Sequence, residues 1–130
     1  MSLTVPPELV AAAERGHIDD VAFLDCVRDS LPYAYSLVEH LAGELPAGER
    51  DFADNKVPPP DEQTRGQLLR ALASNAIRGA LERRFGVALA FQNCHRLAAF
   101  RPETVGGAQY RRFVSIEGQL LNQEPGLVDC

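Results

Sequence analysis

The sequence predicts a mainly α-helical fold, a single compact domain of five or six helices. The alternative is a small α+β arrangement in which residues near 87–100 and 110–118 form strands. Three observations carry this reading. Apolar residues recur at three- and four-residue steps through most of residues 9–45 and again over 61–84. Helix start and stop signals bracket each periodic stretch, and alanine, the best helix former, is abundant. At 130 residues the chain has the length of one domain, enough to bury about two-thirds of the surface its unfolded form exposes.

The first helix is expected from about Pro6 to Arg15, with Thr4 near its N-cap, Glu8 in its first turn, Leu9, Val10 and Ala13 as its apolar stripe, and Gly16 as its stop. Asp19 and Asp20 open a second helix on which Ile18, Val21, Leu24, Val27 and Leu31 recur along one face, ending before Pro32. Pro32 suits the first turn of a third helix, whose Ala34, Leu37, Val38, Leu41 and Leu45 make an amphipathic stripe. The character then changes. Residues 46–60 read as a Pro-rich loop, because Pro46-Ala47-Gly48 is turn-like and Val57-Pro58-Pro59-Pro60 keeps each residue that precedes a proline out of the helical region.

Acids at Asp61 and Glu62 sit where the positive end of a helix dipole falls, so a helix is expected to start there and to run unbroken to about Arg84. Leu69, Leu72, Ala73, Ala76, Ile77, Ala80 and Leu81 would line its inner face, Gln67, Arg70, Ser74 and Arg78 its outer one, and Gly86 would stop it. Both periods fit the rest. Val87–Phe91 alternates like a strand and Arg96–Phe100 could pair with it, yet Val87, Ala90, Phe91, Cys94, Leu97 and Ala98 also form a helical stripe, and alanine content favours helix. Tyr110, Phe113, Val114, Leu120 and Leu121 match helical spacing as well, although Arg112–Ile116 has strand-like β-branching. Gln123-Glu124-Pro125-Gly126 reads as a turn.

The net charge of −5 conceals an asymmetry. Residues 1–62 carry 13 acids against four bases, net −9, whereas residues 63–130 carry five acids against nine arginines, net +4. The halves should attract each other within one fold or across a dimer, and Asp25, Asp29 and Glu39 offer acidic partners to Arg70 and Arg78. An acidic chain without Trp argues against nucleic acid as a partner. No apolar run approaches the roughly 20 residues that span a bilayer, and Met1–Pro6 has neither a cationic nor an apolar leader region. The expected location is therefore the cytoplasm. Three cysteines, Cys26, Cys94 and Cys130, with no C-x-x-C spacing, fit reduced thiols rather than a disulfide framework or a zinc knuckle.

The stretch Phe52-Ala53-Asp54-Asn55 through Pro58-Pro59-Pro60, the helix Arg65–Arg84, and Leu89-Ala90-Phe91-Gln92-Asn93-Cys94-His95-Arg96 together resemble a small actinobacterial protein family of about this length. The resemblance implies no activity.

Four constellations could carry chemistry. Asn93-Cys94-His95-Arg96 puts a thiol beside cations that can lower its pKa, which makes Cys94 and His95 the catalytic candidates. The plainer reading buries Cys94 as a small hydrophobe and leaves His95 and Arg96 at the surface, since consecutive side chains diverge on helix or strand. Arg70, Ser74 and Arg78 would lie along one line of a continuous helix and could clamp a carboxylate or phosphate. His40 and Glu44, at i and i+4, are the candidate metal pair, with His17 or Asp20 as helpers, but this spacing more often makes a solvated contact. Cys130 is a candidate for oxidative pairing and does not match a prenylation motif. No phosphate-loop, dinucleotide-binding or nucleophile-elbow signature occurs, so no cofactor is expected. The function expected is a non-enzymatic interaction or regulatory role with a protein partner or a second copy as homodimer, using an apolar helix face or the Phe52–Pro60 loop.

Overall fold

A computed structural model describes residues 3–45, 50–92 and 95–121. Within them the fold is mainly α, with a three-stranded antiparallel sheet. The order is α1 (Pro7–Glu14), α2 (Asp20–Ser30), α3 (Pro32–Glu44), β1 (Phe52–Asp54), α4 (Glu62–Ala73), α5 (Asn75–Phe85), β2 (Ala88–Gln92), β3 (Arg96–Phe100), a 3₁₀ turn at Pro102–Thr104, α6 (Ala108–Phe113) and α7 (Ile116–Leu121).

The expected signals act at most boundaries. Asp19 caps α2 by accepting from Ala22 N–H at 2.8 Å. Asp61 and Thr64 cap each other at the start of α4, and Gly86 ends α5 in the left-handed region at φ +66. The expected unbroken helix over 61–84 is instead two helices meeting at Ser74, whose extended backbone (ψ 118) closes α4 and whose hydroxyl opens α5. Alanine periodicity does not reveal the break, because Ala71, Ala73 and Ala76 have similar propensity on either side of it. Its consequence is a change of phase. Leu68, Ala71 and Leu72 face the core from α4 and Ile77, Ala80 and Leu81 from α5, while Leu69, Ala73 and Ala76, expected inside, are exposed.

Residues 88–92 and 96–100 are paired antiparallel strands rather than the favoured helix, in line with the α+β alternative. Strand β3 is central in the order β1-β3-β2, pairing Ala53 with Ala99 on one side and Ala90 with Ala98 on the other. Both of its faces are covered, so Leu97, Ala98, Ala99 and Phe100 are all fully buried, and a doubly covered strand shows no alternation to read. One face, with Ala53, Leu89, Leu97 and Ala99, packs on α2–α5 in the main core. The other carries Ala90, Ala98 and Phe100 against Phe113 of α6. The 110–118 segment contains two short helices, as the helical spacing suggested, not the strand of the alternative. Gly118 is required at their junction, since a Cβ there would lie 2.0 Å from the Arg112 carbonyl oxygen. The expected Pro-rich loop also holds β1, an edge strand too short to show a period.

The N-terminal helices are less engaged than their stripes suggest. Leu24, Val27 and Leu31 of the second stripe are buried, but Ile18 and Val21, which begin it, are 45% and 68% exposed. Helix α1 buries no residue at all. It is tied down by Thr4, whose N–H donates to Ser30 Oγ at 2.9 Å and whose carbonyl accepts from the Cys26 thiol at 3.4 Å.

Candidate functional site

The α4–α5 junction brings Arg78, but not Arg70, to the edge of the sheet. Ser74 Oγ accepts from Ile77 N–H at 3.2 Å, the N-cap bond of α5. Arg78 reaches back across the break, donating from Nη1 to the Leu72 carbonyl at 3.1 Å and from Nη2 to Asn75 Oδ1 at 2.7 Å. A guanidinium at the carbonyl end of α4 opposes the negative end of its dipole. Arg70, Ser74 and Arg78 therefore do not form the single ladder that a continuous helix would give. Arg70 and Ser74 line an open hollow of about 540 Å³ with Gly66, Leu69 and Ala73. Arg78 lines a separate groove of about 560 Å³ beside β2. Ser74→Ala should lower stability by about 1 kcal/mol, the usual cost of losing such a cap, with the urea midpoint falling at unchanged slope.

That groove is bounded by Leu72, Arg78 and Glu82 on the helix side and by Leu89, Ala90 and Phe91 of the edge strand β2, and is closed by Tyr110 and Val114. Glu82 turns one carboxylate oxygen onto the edge, accepting from Leu89 N–H at 2.8 Å. The groove thus presents one guanidinium, one carboxylate and an apolar, aromatic floor.

The other candidates are distributed elsewhere. Cys94 and Cys130 lie outside the described residues. His95 is buried, only 3% exposed, rather than at the surface as the plainer reading had it, and its carbonyl accepts from Asn55 Nδ2 at 2.7 Å. Arg96 is half-buried and donates to Asp54 Oδ2 at 2.5 Å, while Arg50 donates to Oδ1 at 3.3 Å. Asp54 and Asn55 were legible only as loop residues. In the fold they fasten β1 to β3, the Asn55 amide oxygen accepting from Leu97 N–H at 2.8 Å. His40 and Glu44 make a contact of 2.7 Å on the exposed face of α3, and the expected helper Asp20 faces Arg83 instead. Among the described residues no three His, Cys, Asp or Glu side chains gather as a metal would need.

Asp54 with Arg96 and Asp20 with Arg83 join the acidic and basic halves, and neither pair uses the anticipated Asp25, Asp29 or Glu39. Asp25 and Asp29 lie beside Arg28 of their own helix, whereas Asp20 accepts two bonds from Arg83, at 2.6 and 3.0 Å, across 63 residues of sequence. These bonds hold the Asp20 carboxyl below the usual carboxylate range and raise the Arg83 guanidinium. A folded-state pKa below the unfolded one adds stability at pH values above the unfolded pKa, and that stability disappears as pH falls through the folded value. The stability difference between the native chain and Asp20→Asn should therefore be present at neutral pH and vanish in acid below the ordinary carboxylate range, when urea midpoints are compared across pH.

A family model described as "NucS shadow ORF" (KH_NucS_shadow) matches residues 1–130. No curated protein and no solved structure matches the chain. The chain belongs to the NucS shadow ORF family.

Proposed function

We propose that this member of the NucS shadow ORF family is a non-enzymatic interaction module, acting on a protein partner or a second copy of itself in the cytoplasm of an actinobacterial cell. One observation carries the reading: α1 buries no residue, and Val10, Ile18 and Val21 around the α1–α2 turn are exposed. Surface of this kind is where partners dock. Among the described residues no helix is long and apolar enough to cross a membrane, so these exposed residues do not belong to a span.

The test is affinity capture with cross-linking from the cell that encodes the chain, read by mass spectrometry. Because the family is described as a shadow open reading frame, the same spectra must first contain peptides of the chain itself. A recurrent cross-linked protein, or a cross-linked pair of chains, supports the proposal; absence of the chain's own peptides overturns it. Rapid iodoacetamide labelling of Cys94 in the native protein would move the reading to a thiol-dependent enzyme or sensor. A thermal shift with a metabolic anion, lost in Arg78→Ala, would move it to anion binding at Arg70, Ser74 and Arg78.

A second reading, single-stranded nucleic acid, is favoured by the KH in the name of the family model. The β-α-α-β-β-α order over residues 52–113 is in keeping with that name. KH modules clamp four backbone nucleotides with a GXXG loop. This chain contains no G-x-x-G and has a net charge of −5, its α4–α5 turn is Ser74 alone, and Glu82 sits in the groove beside β2. Salt-dependent polarisation of a labelled single-stranded oligonucleotide at low ionic strength, lost in Arg78→Ala, would establish this second reading.

A further inference from the structure

The groove between α1 and α2 has an apolar floor and an acidic rim. It encloses about 420 Å³, and its floor is formed by Pro6, Leu9, Ala12, Ile18 and Ala22. Four carboxylates, Glu8, Asp19, Asp25 and Asp29, stand around it, and its lining includes no Lys or Arg. Asp25 and Asp29 are held by Arg28 at 3.3 and 3.6 Å, but in exposed pairs, whose hold is weak. Asp19 caps α2, its carboxylate accepting from Ala22 N–H.

Resting on the interaction-module reading above, we propose that this groove receives a basic amphipathic helix of a partner protein. Leu24 and Val27 bury one face of α2 in the core, while Ala22 on another face, and Ile18 just before the Asp19 cap, open into the groove. An inserted apolar face would complete what α1 alone does not bury. Both walls are helices, so no open strand edge is on offer. An extended peptide would lose water from its backbone groups without gaining partners, whereas a helix brings its own hydrogen bonds. Apolar anchors at i, i+3, i+4 and i+7 fit a floor of this kind, and the rim of carboxylates selects Lys and Arg on the flanks of those anchors while repelling acidic segments.

The test uses the full chain and three labelled 18-residue peptides made for it: a Leu/Lys amphipathic helix, a scramble of the same composition with no apolar face, and a Leu/Glu helix of the same pattern. Anisotropy should show the Leu/Lys helix binding, more weakly as salt rises, and binding at least roughly tenfold tighter than the scramble, a ratio equivalent to one well-buried apolar anchor. Amide shifts should map to Ile18, Ala22 and Leu9. Ile18→Ser should weaken binding by roughly tenfold, and its melting curve shows that the fold persists. Asp25→Lys with Asp29→Lys should lose the Leu/Lys helix and gain the Leu/Glu one. Equal binding of helix and scramble, indifference to Ile18→Ser, shifts mapping elsewhere, or no binding of the Leu/Lys helix would each overturn the assignment. None of those results touches the capture experiment that decides whether the chain has a protein partner at all.

Discussion

Phe100→Ala should destabilise the protein by about 3–5 kcal/mol, the range for deleting a large buried aromatic. Phe100 is fully buried at the end of the central strand. Its ring stacks on Phe52 at 4.9 Å and meets Tyr110 and Phe113 edge-on at 5.1 and 5.8 Å. Those contacts join β1 to β3 and are the means by which α6 closes over the sheet. Removal therefore leaves a cavity and releases α6 as well. Chemical denaturation should show the loss in stability, and native-state hydrogen exchange should show the amides of α6 exchanging ahead of those of α3. A loss below about 1.5 kcal/mol would mean that the second core collapses around the missing ring.

Gln67→Met should cost about 2–4 kcal/mol although it preserves volume and adds apolar surface. Leu31 precedes α3 and has no side chain able to cap it. The acceptor comes from another helix: Gln67 Oε1, 6% exposed, accepts from Tyr33 N–H at 2.7 Å and from Ala34 N–H at 3.3 Å. Methionine leaves both donors without their acceptor, the buried Ala34 N–H at the full cost of about 1–3 kcal/mol and the part-buried Tyr33 N–H at the lower end of that range. Equilibrium unfolding with unchanged denaturant slope is the measure. A midpoint close to that of the native chain would show the α3 terminus finding another acceptor.

These two residues also show how much of the fold could be read from sequence. The three N-terminal helices were legible to within two residues, because proline, acid and glycine signals are local and act through the backbone beside them. The β2–β3 pair was legible only as one of two options, since Leu97–Phe100 carries no alternation when both faces of its strand are covered. The break at Ser74 was hidden for a related reason. An N-cap serine inside an alanine-rich stretch looks like an ordinary helix-surface residue until its backbone turns extended. Gln67 was placed on an outer face because an unbroken helix fixes the phase wrongly on one side of the break. Of the candidate site, residue types were legible and their meeting was not. Arg78 serves the end of α4, Asp54 binds Arg96 and Arg50, and the groove walls at Glu82, Phe91 and Tyr110 come together only through the topology β1-β3-β2. The acidic bias of the first half was visible from counting alone. Its concentration around one uncovered groove was not.

A photo-reactive residue at Ile18, compared with one at Val57, which is more exposed and does not line the groove, tests most directly whether the chain works through the α1–α2 surface. In living cells a recurrent protein adduct, or a covalent pair of chains, is expected from position 18, absent from position 57 and suppressed by the Leu/Lys helix. The same adducts at both positions, or none at position 18 while the chain itself is detected, would contradict it.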